Sequence, residues 1–198
     1  MLRRLCVPKC PDINIGNSYD LVIPAEYAGF NQKENVLPDA SKKCLHLAAS
    51  LVARNLATEI AYGNSERPGP GVDVLQKAKL AWLRECDVLV PDRVVSVVSN
   101  NTIQEVEGIH NVRPKAKRIL VVCDEPHARR YRRLVRYFYP EATVDVMTVR
   151  GKWNKSHPSP WQQSAFRWWS MNLIYHALML ILGMPRFILR FRNKTHVD

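Results

Sequence analysis

The chain has 198 residues, 46% of them hydrophobic, which suits one domain with a core and an appended segment and leaves little room for two full domains. Its net charge of +11 is uneven: residues 1–112 carry 12 Lys and Arg against 13 Asp and Glu, net −1, whereas residues 113–198 carry 17 against 5, net +12. This asymmetry indicates an anionic partner, such as nucleic acid, phospholipid or a phosphorylated small molecule, or else a solvated basic surface.

The cysteines indicate a reducing compartment and no metal site. They number five and are scattered, and Cys44 and Cys123 fall in apolar stretches that suit reduced core thiols. No pair has the two-residue spacing of a zinc knuckle. Residues 1–11 lack the apolar run of a secretory signal and are predicted to form a loose arm. We therefore expect a cytoplasmic protein.

Hydrophobic periodicity predicts alternating strands and helices up to residue 149. Runs of β-branched and apolar residues indicate strands, and apolar residues at helical spacing indicate helices. Asp39 or Ser41 is the candidate cap of the first helix, and residues 99–102 are candidates for the third. The predicted strands span residues 20–24, 57–62, 93–98, 119–123 and 142–149. The predicted helices span about 40–56, then 72–85, 102 to about 109, and 127–138.

The stretch 118–138 is predicted to organise the rest of the chain. Ile119 to Cys123 is a continuous apolar run, short enough for a strand buried on both faces, and Asp124-Glu125-Pro126 is predicted to be a polar turn. The helix that follows has an apolar face that includes a histidine and a second face that is largely arginine. These two faces are His127, Tyr131, Leu134, Val135 and Phe138, and Arg129, Arg132, Arg133 and Arg136.

This alternation predicts an α/β fold in which a mainly parallel sheet is covered by helices on both faces. Right-handed crossovers place every strand-to-helix turn at the same edge of such a sheet. Helix N-termini offer free N–H groups there, and the helix dipole favours an anion. Four loops are expected to meet at this edge: residues 25–27, 63–67, 99–102 and 124–130.

These loops supply the candidate ligand-binding residues. Gly63 lets a backbone approach a ligand closely, and His127 with Arg130 at i and i+3 can bind an anion. Two structural alternatives stay open, because Asn101 with Thr102 could cap a helix and His127 could fill the core. His127 is also the candidate catalytic residue, and no phosphate-loop or dinucleotide motif is present. The full candidate set is Gly63, Asn64, Ser65, Asn101, Thr102, His127 and Arg130.

The order of elements across about residues 20–150, with Ser99-x-Asn101-Thr102 and Val-Val-Cys-Asp-x-x-His127-x-x-Arg130, resembles the YdcF/SanA/ElyC-like bacterial family of unknown function. That family carries Ser-x-Asn-Thr-x-Glu-Asn after its third strand and Val-Thr-x-x-x-His-x-x-Arg after its fourth. The resemblance implies a Rossmann-like three-layer fold, a cleft at the strand ends and association with the bacterial envelope. With this resemblance, the expected location is the cytoplasm or the cytoplasmic surface of the inner membrane.

The sequence also departs from the family pattern, chiefly at its acidic positions. A reaction that needs those carboxylates as bases therefore does not follow from the resemblance, whereas an anion-binding role for His127 and Arg130 is unaffected. Four segments differ: Gln104 and Glu105 replace Glu and Asn, Tyr62-Gly63-Asn64 replaces a Ser-Gly-Gly turn, Leu75-Gln76 lies where the next helix carries an acidic residue, and Pro24-Ala25-Glu26 replaces a Gly-rich turn.

Residues 161–198 are predicted to be a helical appendage to the α/β domain at 1–160. Residues 161–182 are rich in Trp, Leu, Ile and Met, and Gly183 with Pro185 is predicted to end this helix before a basic tail. Three placements stay open: packing on the sheet or on a second subunit, an in-plane membrane helix, and a true span. Four polar residues make a span poor: Arg167, Ser170, Asn172 and His176.

Three functions are compatible with these features. The leading hypothesis is binding of a small anionic ligand at the sheet edge, either phosphorylated, nucleotide-like or an S-adenosylmethionine-type cofactor, with or without a reaction. The second is a non-catalytic, membrane-peripheral envelope factor that acts through the basic, Trp-rich C-terminal helix. The third is nucleic-acid binding, although the arginine run lacks interleaved aromatic residues and no DNA-reading motif accompanies it.

Overall fold

The computed structural model describes residues 18–25, 37–64, 72–85, 91–150 and 163–192, with side chains for all of these except 72–76 and 91. Its centre is a five-stranded sheet in the order β3-β2-β1-β4-β5, and every described pairing is parallel. The α/β, Rossmann-like prediction is therefore confirmed. The strands are β1 (Tyr19–Pro24), β2 (Ala57–Asn64), β3 (Val94–Val98), β4 (Arg118–Asp124) and β5 (Thr143–Val149).

Strand β4 is buried on both faces, as its continuous apolar run predicts. It lies between β1 and β5, so it is an inner strand. Ile119, Val121 and Cys123 join one core cluster, and Leu120 and Val122 join the cluster on the opposite face. This alternation follows from the two-residue period of a strand, and full burial suits a parallel sheet that is covered on both sides.

Helices cover both faces of the sheet and complete three layers. The cluster on one face is built from α1 and Leu83 of α2, and the cluster on the other face is built from α3 and α4. A short 3₁₀ segment, Pro91–Arg93, leads into β3. The helix bounds are α1 (Asp39–Ala53), α2 (Val72–Glu85), α3 (Thr102–Val112) and α4 (Glu125–Phe138).

Two predicted helix starts are wrong. Pro38 is the N-cap residue of α1, and it makes no side-chain capping bond, so neither Asp39 nor Ser41 caps this helix. The predicted turn at residues 124–126 does not exist, because β4 extends to Asp124 and α4 begins at the next residue. Pro126 fits inside the first helical turn because its missing N–H has no intrahelical acceptor there and its φ angle is already helical.

The C-terminal segment contains two helices where the sequence predicts one. Helix α5 spans Ala165–Leu182, and helix α6 spans Met184–Phe191 within the predicted basic tail. Gly183 joins them at a positive φ of 72°, and Pro185 lies in the first turn of α6, where it starts a helix instead of ending one. The predicted start at Trp161 lies outside the described residues.

Helix α5 packs on helix α4, whereas the predicted packed placement was on the sheet or on a second subunit. Within the part of the chain that the structure describes, no helix has both the length and the apolar character needed to cross a membrane. The two faces of α4 are arranged as predicted, since Tyr131, Leu134 and Val135 are buried whereas Arg132 and Arg136 are exposed.

His176, on α5 near the arginines of α4, should make the free energy of unfolding depend on pH. Burial lowers the pKa of His176 below its ordinary value, and the charges of Arg133 and Arg129 lower it further. The unfolded chain then binds the proton more readily, so the stabilisation from neutral His176 is complete above about pH 6.5 and is lost as the pH falls through the lowered native value. In His176→Gln, we expect a smaller difference in melting temperature between about pH 7.5 and about pH 5.5. An unchanged difference would contradict this assignment.

Candidate functional site

Asn101 is the N-cap residue of α3. Its Oδ1 accepts hydrogen bonds from the N–H groups of Ile103 and Gln104, both at 3.0 Å, and its Nδ2 donates to the Arg192 carbonyl oxygen at 2.8 Å. The capping alternative therefore describes this residue, and the side-chain amide is bonded on both sides to protein groups. Thr102 is the first helical residue and lines a small cavity, described below.

Gly63, at the end of β2, is held by protein groups on both sides. Its N–H donates to Oε1 of Glu105 at 2.9 Å, and its carbonyl oxygen accepts from Nζ of Lys79 at 2.7 Å. A Cβ at this position would lie 2.2 Å from Oγ of Ser99 and 3.0 Å from Glu105. Glycine is thus required here by close packing within the protein. Ser65, two residues further on, lies outside the described residues.

A buried acid and a buried lysine fix this end of β2. Glu105 of α3 is 6% exposed, and its Oε2 accepts the hydroxyl of Tyr131 from α4 at 2.9 Å. Lys79 of α2 is fully buried, bonds Oδ1 of Asn64 at 3.3 Å, and lies 4.4 Å from the ring centre of Tyr62. Charged side chains are rarely buried unless they are paired or hydrogen-bonded, so both residues are built into the fold.

His127 and Arg130 form a buried pair in the first turns of α4. Nη2 of Arg130 donates to Nε2 of His127 at 2.7 Å, and a guanidinium has no acceptor atom, so Nε2 carries the lone pair. The imidazole proton then lies on Nδ1, which is 3.9 Å from Oδ1 of Asp124. Both residues are at most 5% exposed. The ring nitrogen that a catalytic histidine would use as a base is occupied by Arg130.

The two C-terminal helices cover this pair. The indole N–H of Trp168 on α5 donates to Oδ2 of Asp124, and the Trp168 ring meets His127 edge-on at 5.9 Å. The Arg130 guanidinium lies 5.2 Å from the centre of the Tyr175 ring, also on α5. The predicted site loop, residues 124–130, is therefore in contact with α5, which belongs to the segment predicted to be an appendage.

Beneath the C-terminal helices a cavity of about 30 Å³ remains, close to the volume of a single water molecule. Its lining brings together the predicted residues Asn101, Thr102 and Arg130 with Phe187 and Phe191 of α6. Gly63 and Asn64 are not among its lining residues. Gly63 is linked through Glu105 to Tyr131, whose ring lies 5.1 Å from that of His127, whereas Asn101, Thr102 and Arg130 line this cavity. The predicted residues that the structure describes therefore do not line one cleft.

A larger cleft lies further along the same edge, and we call it the α4–β5 cleft. It has a volume of about 160 Å³. The N-terminus of α4 contributes to its wall, and the side chain of Asp124 makes no capping hydrogen bond there. Arg150 at the end of β5 and Trp169 on α5 form the opposite wall. Its lining residues are Asp124, Glu125, Pro126, Val149, Arg150, Ala165 and Trp169.

Sequence analysis missed the buried acid and the buried lysine, although each left a signal. Glu105 lies four residues before Ile109 and next to Val106, so it falls within the apolar stripe of α3. Lys79 lies four residues before Leu83 on α2 and therefore shares its buried face. A charged residue inside an apolar stripe indicates a buried polar network. Among the described residues, no three His, Cys, Asp or Glu side chains form a group that could hold a metal ion.

Comparisons with known proteins add little to this geometry. No protein-family model matches the chain, and no curated protein matches it. Among solved structures, the crystal structure of a universal stress protein in complex with cAMP is similar, with a TM-score of 0.40 and 16% sequence identity. The similarity covers 68% of this chain and 98% of that chain. Likeness at this level transfers neither a ligand nor a function.

The Glu105 network predicts a large stability loss in Glu105→Leu. The substitution removes the acceptor of the partly buried Gly63 N–H and of the buried Tyr131 O–H, and a buried polar group that loses its partner costs about 1–3 kcal/mol. Glu107→Leu is the matched control on the same helix, because Glu107 only pairs with the half-exposed Arg192 and should cost less than about 1 kcal/mol. Urea denaturation measures both. Equal losses in the two variants would show that Glu105 is not the organising group.

The His127–Arg130 pair predicts that Arg130→Ala destabilises the fold. Loss of the charged hydrogen bond to His127 costs about 2 kcal/mol, which lowers the melting temperature of a chain of this size by roughly 4–8 °C. Arg132→Ala, on the exposed face of the same helix, should leave it unchanged. The alternative outcome is an unchanged melting temperature together with a loss of ligand affinity, which would restore the predicted anion site at Arg130.

Proposed function

We propose that the protein binds a small anionic, nucleotide-like ligand in the α4–β5 cleft, at the edge of the sheet formed by the carboxyl ends of the strands. One observation carries this proposal. A helix N-terminus without a side-chain cap, a cation (Arg150) and a partly exposed aromatic ring (Trp169) line the same cleft. The order of the strands reverses between β1 and β4, where ligands bind in parallel sheets. The cleft lies one strand further on, between the ends of β4 and β5, and borders this switch point only through β4.

The cleft offers two groups that bind a phosphate, although its lining also includes the carboxyl groups of Asp124 and Glu125. The carboxylate of Asp124 accepts the indole N–H of Trp168, so it already has a partner within the protein. The N-terminus of α4 contributes the positive end of its dipole and the first-turn N–H groups, apart from that of Pro126. Arg150 adds a guanidinium, which binds a phosphate or carboxylate through two parallel hydrogen bonds. Nζ of Lys43 donates to the Arg150 carbonyl oxygen at 2.9 Å and holds the Arg150 backbone, while its charge is paired with Asp39 at 2.9 Å.

Other features of the cleft suit the remaining parts of a nucleotide. Trp169 is 45% exposed and offers a ring for stacking against a base. The exposed carboxylate of Glu125 can accept hydrogen bonds from sugar hydroxyl groups. The volume of about 160 Å³ is below the roughly 300–1,000 Å³ of drug-sized ligand pockets, so we expect the cleft to enclose the phosphate and part of the sugar.

The resemblance to the YdcF/SanA/ElyC-like family is compatible with this proposal and remains a hypothesis. It implies a ligand site at the same edge of the sheet, and it extends the proposal to phosphorylated compounds of bacterial envelope metabolism. S-adenosylmethionine stays a candidate ligand through its adenosine part, which needs the same stacking and sugar contacts, and through its carboxylate. Its net charge is positive, so the charge argument applies to that carboxylate and not to the whole molecule. No reaction is assigned to the site.

A thermal-shift screen with nucleotides, sugar nucleotides and S-adenosylmethionine tests the proposal. A ligand that binds only the native state must raise the melting temperature. For any compound that does so, Arg150→Ala should weaken binding by about 1.5–3 kcal/mol, and Trp169→Ala by about 1–3 kcal/mol, in titration calorimetry.

Arg132→Ala is the control, because it removes the same charge from an exposed position outside the cleft lining. We expect wild-type affinity in this variant. A screen without any stabilising compound, or equal affinity in wild type and Arg150→Ala, would overturn the proposed site.

A further inference from the structure

The outward side of α5 has a continuous apolar surface, which we call the α5 apolar face. Of the ten exposed large hydrophobic side chains within the described residues, seven lie on α5 and α6, so the exposure is concentrated in one segment. At about 100° per residue, those on α5 fall within an arc of about 140° that contains no charged residue. The face consists of Phe166, Trp169, Leu173, Ile174, Leu180 and Ile181.

The opposite side of α5 is used for packing inside the protein. Trp168, Met171 and Met179 are buried there, and α5 contacts α4 along this side. A helix on the surface of a soluble domain ordinarily has one apolar stripe, which faces the core, and a polar remainder. Helix α5 is apolar on both sides, so the α5 apolar face needs a partner outside the described part of the chain.

Basic side chains accompany this face on both neighbouring helices. Residues 163–192 contain four arginines and no Asp or Glu. On α6, Phe187 is buried while Arg186, Leu189 and Arg190 share the exposed side. On α4, Arg129 is exposed and lies near enough to α5 for its charge to act on His176.

These charges decide between two possible partners. A symmetric dimer through the α5 apolar face would place the same basic surface on both sides of the interface, with no carboxylate on α5 or α6 to pair with the arginines. A membrane surface with anionic phospholipids provides both components, because its acyl boundary accepts the apolar side chains and its head groups attract arginine.

We propose that the α5 apolar face, together with Arg186, Leu189 and Arg190 of α6, docks the protein onto a membrane surface that contains anionic phospholipids. Helix α5 lies along the surface, because its opposite side is held by α4. The apolar side chains enter the boundary between head groups and acyl chains, and the arginines contact the lipid phosphates.

Flotation of the full chain with two kinds of vesicle tests the proposal. One kind contains phosphatidylcholine alone, and the other contains phosphatidylcholine mixed with phosphatidylglycerol. We expect binding to the mixed vesicles that is about tenfold or more stronger than to the neutral vesicles and that weakens at high salt. Absence of binding to the mixed vesicles would overturn the proposal.

Two double variants separate the apolar and the electrostatic contributions. Leu173→Gln with Ile181→Gln removes two exposed side chains from the face, and Arg186→Gln with Arg190→Gln removes two charges from α6. Each double variant should weaken binding about tenfold or more, and only the arginine variant should lose most of its salt dependence. Trp169 is left intact, so these variants do not alter the lining of the α4–β5 cleft.

The controls alter matched residues elsewhere on the surface. Val112→Gln removes an exposed hydrophobic side chain from α3, and Lys115→Gln with Lys117→Gln removes two exposed charges. Both should bind vesicles like wild type, and all variants should keep the wild-type melting temperature. Wild-type binding by Leu173→Gln with Ile181→Gln would overturn the proposal. A second result would also overturn it: wild-type protein that binds no vesicles but forms a dimer, and a loss of that dimer in Leu173→Gln with Ile181→Gln. A second copy of the chain would then cover the α5 apolar face.

Discussion

The buried carboxylate of Glu105 is the constraint on which the rest of the sheet edge depends. It lies on α3 and accepts hydrogen bonds from the Gly63 N–H at the end of β2 and from the Tyr131 hydroxyl on α4, so three elements share one acceptor group. A carboxylate removed from water must keep such partners, because an unpaired buried charge is very costly. The space at Gly63 is consequently filled by protein groups, and Lys79 closes its other side. This part of the edge has little room for a ligand.

The C-terminal helices determine which part of the edge stays open. Trp168 bonds Asp124, Tyr175 lies against Arg130, and the carbonyl of Arg192 accepts from Asn101, so these helices contact α3 and α4 at the positions expected to meet a ligand. What remains there is a cavity of about 30 Å³, whereas the cleft beside β5 has about 160 Å³. The same arginine that would bind an anion in an open cleft has a structural role under this cover.

The fold was predictable because its signals are local. Buried β-branched runs and helical spacing are visible within short windows, and they identified all five strands and the first four helices to within a few residues. The site was less predictable because its contacts are distant in sequence: Asn101 bonds Arg192 across 91 positions, and Trp168 bonds Asp124 across 44. Helix α6 was missed because Gly183 and Pro185 usually mark a helix end. Here Gly183 ends α5 as predicted, and Pro185 lies in the first turn of a second helix.

The arrangement of the helices explains where the excess positive charge of the second half of the chain lies. Arg130 is buried and bonds His127, whereas Arg129, Arg186 and Arg190 are exposed on the two helices that contact α5. Helices α5 and α6 contain no acidic residue. Trp169 belongs both to the α5 apolar face and to the wall of the α4–β5 cleft, so the cleft borders the face. A protein docked through α5 would therefore hold the cleft close to the lipid head groups. The proposed ligand site and the proposed membrane surface then depend on one chemistry, which is recognition of phosphate by arginine beside an aromatic ring.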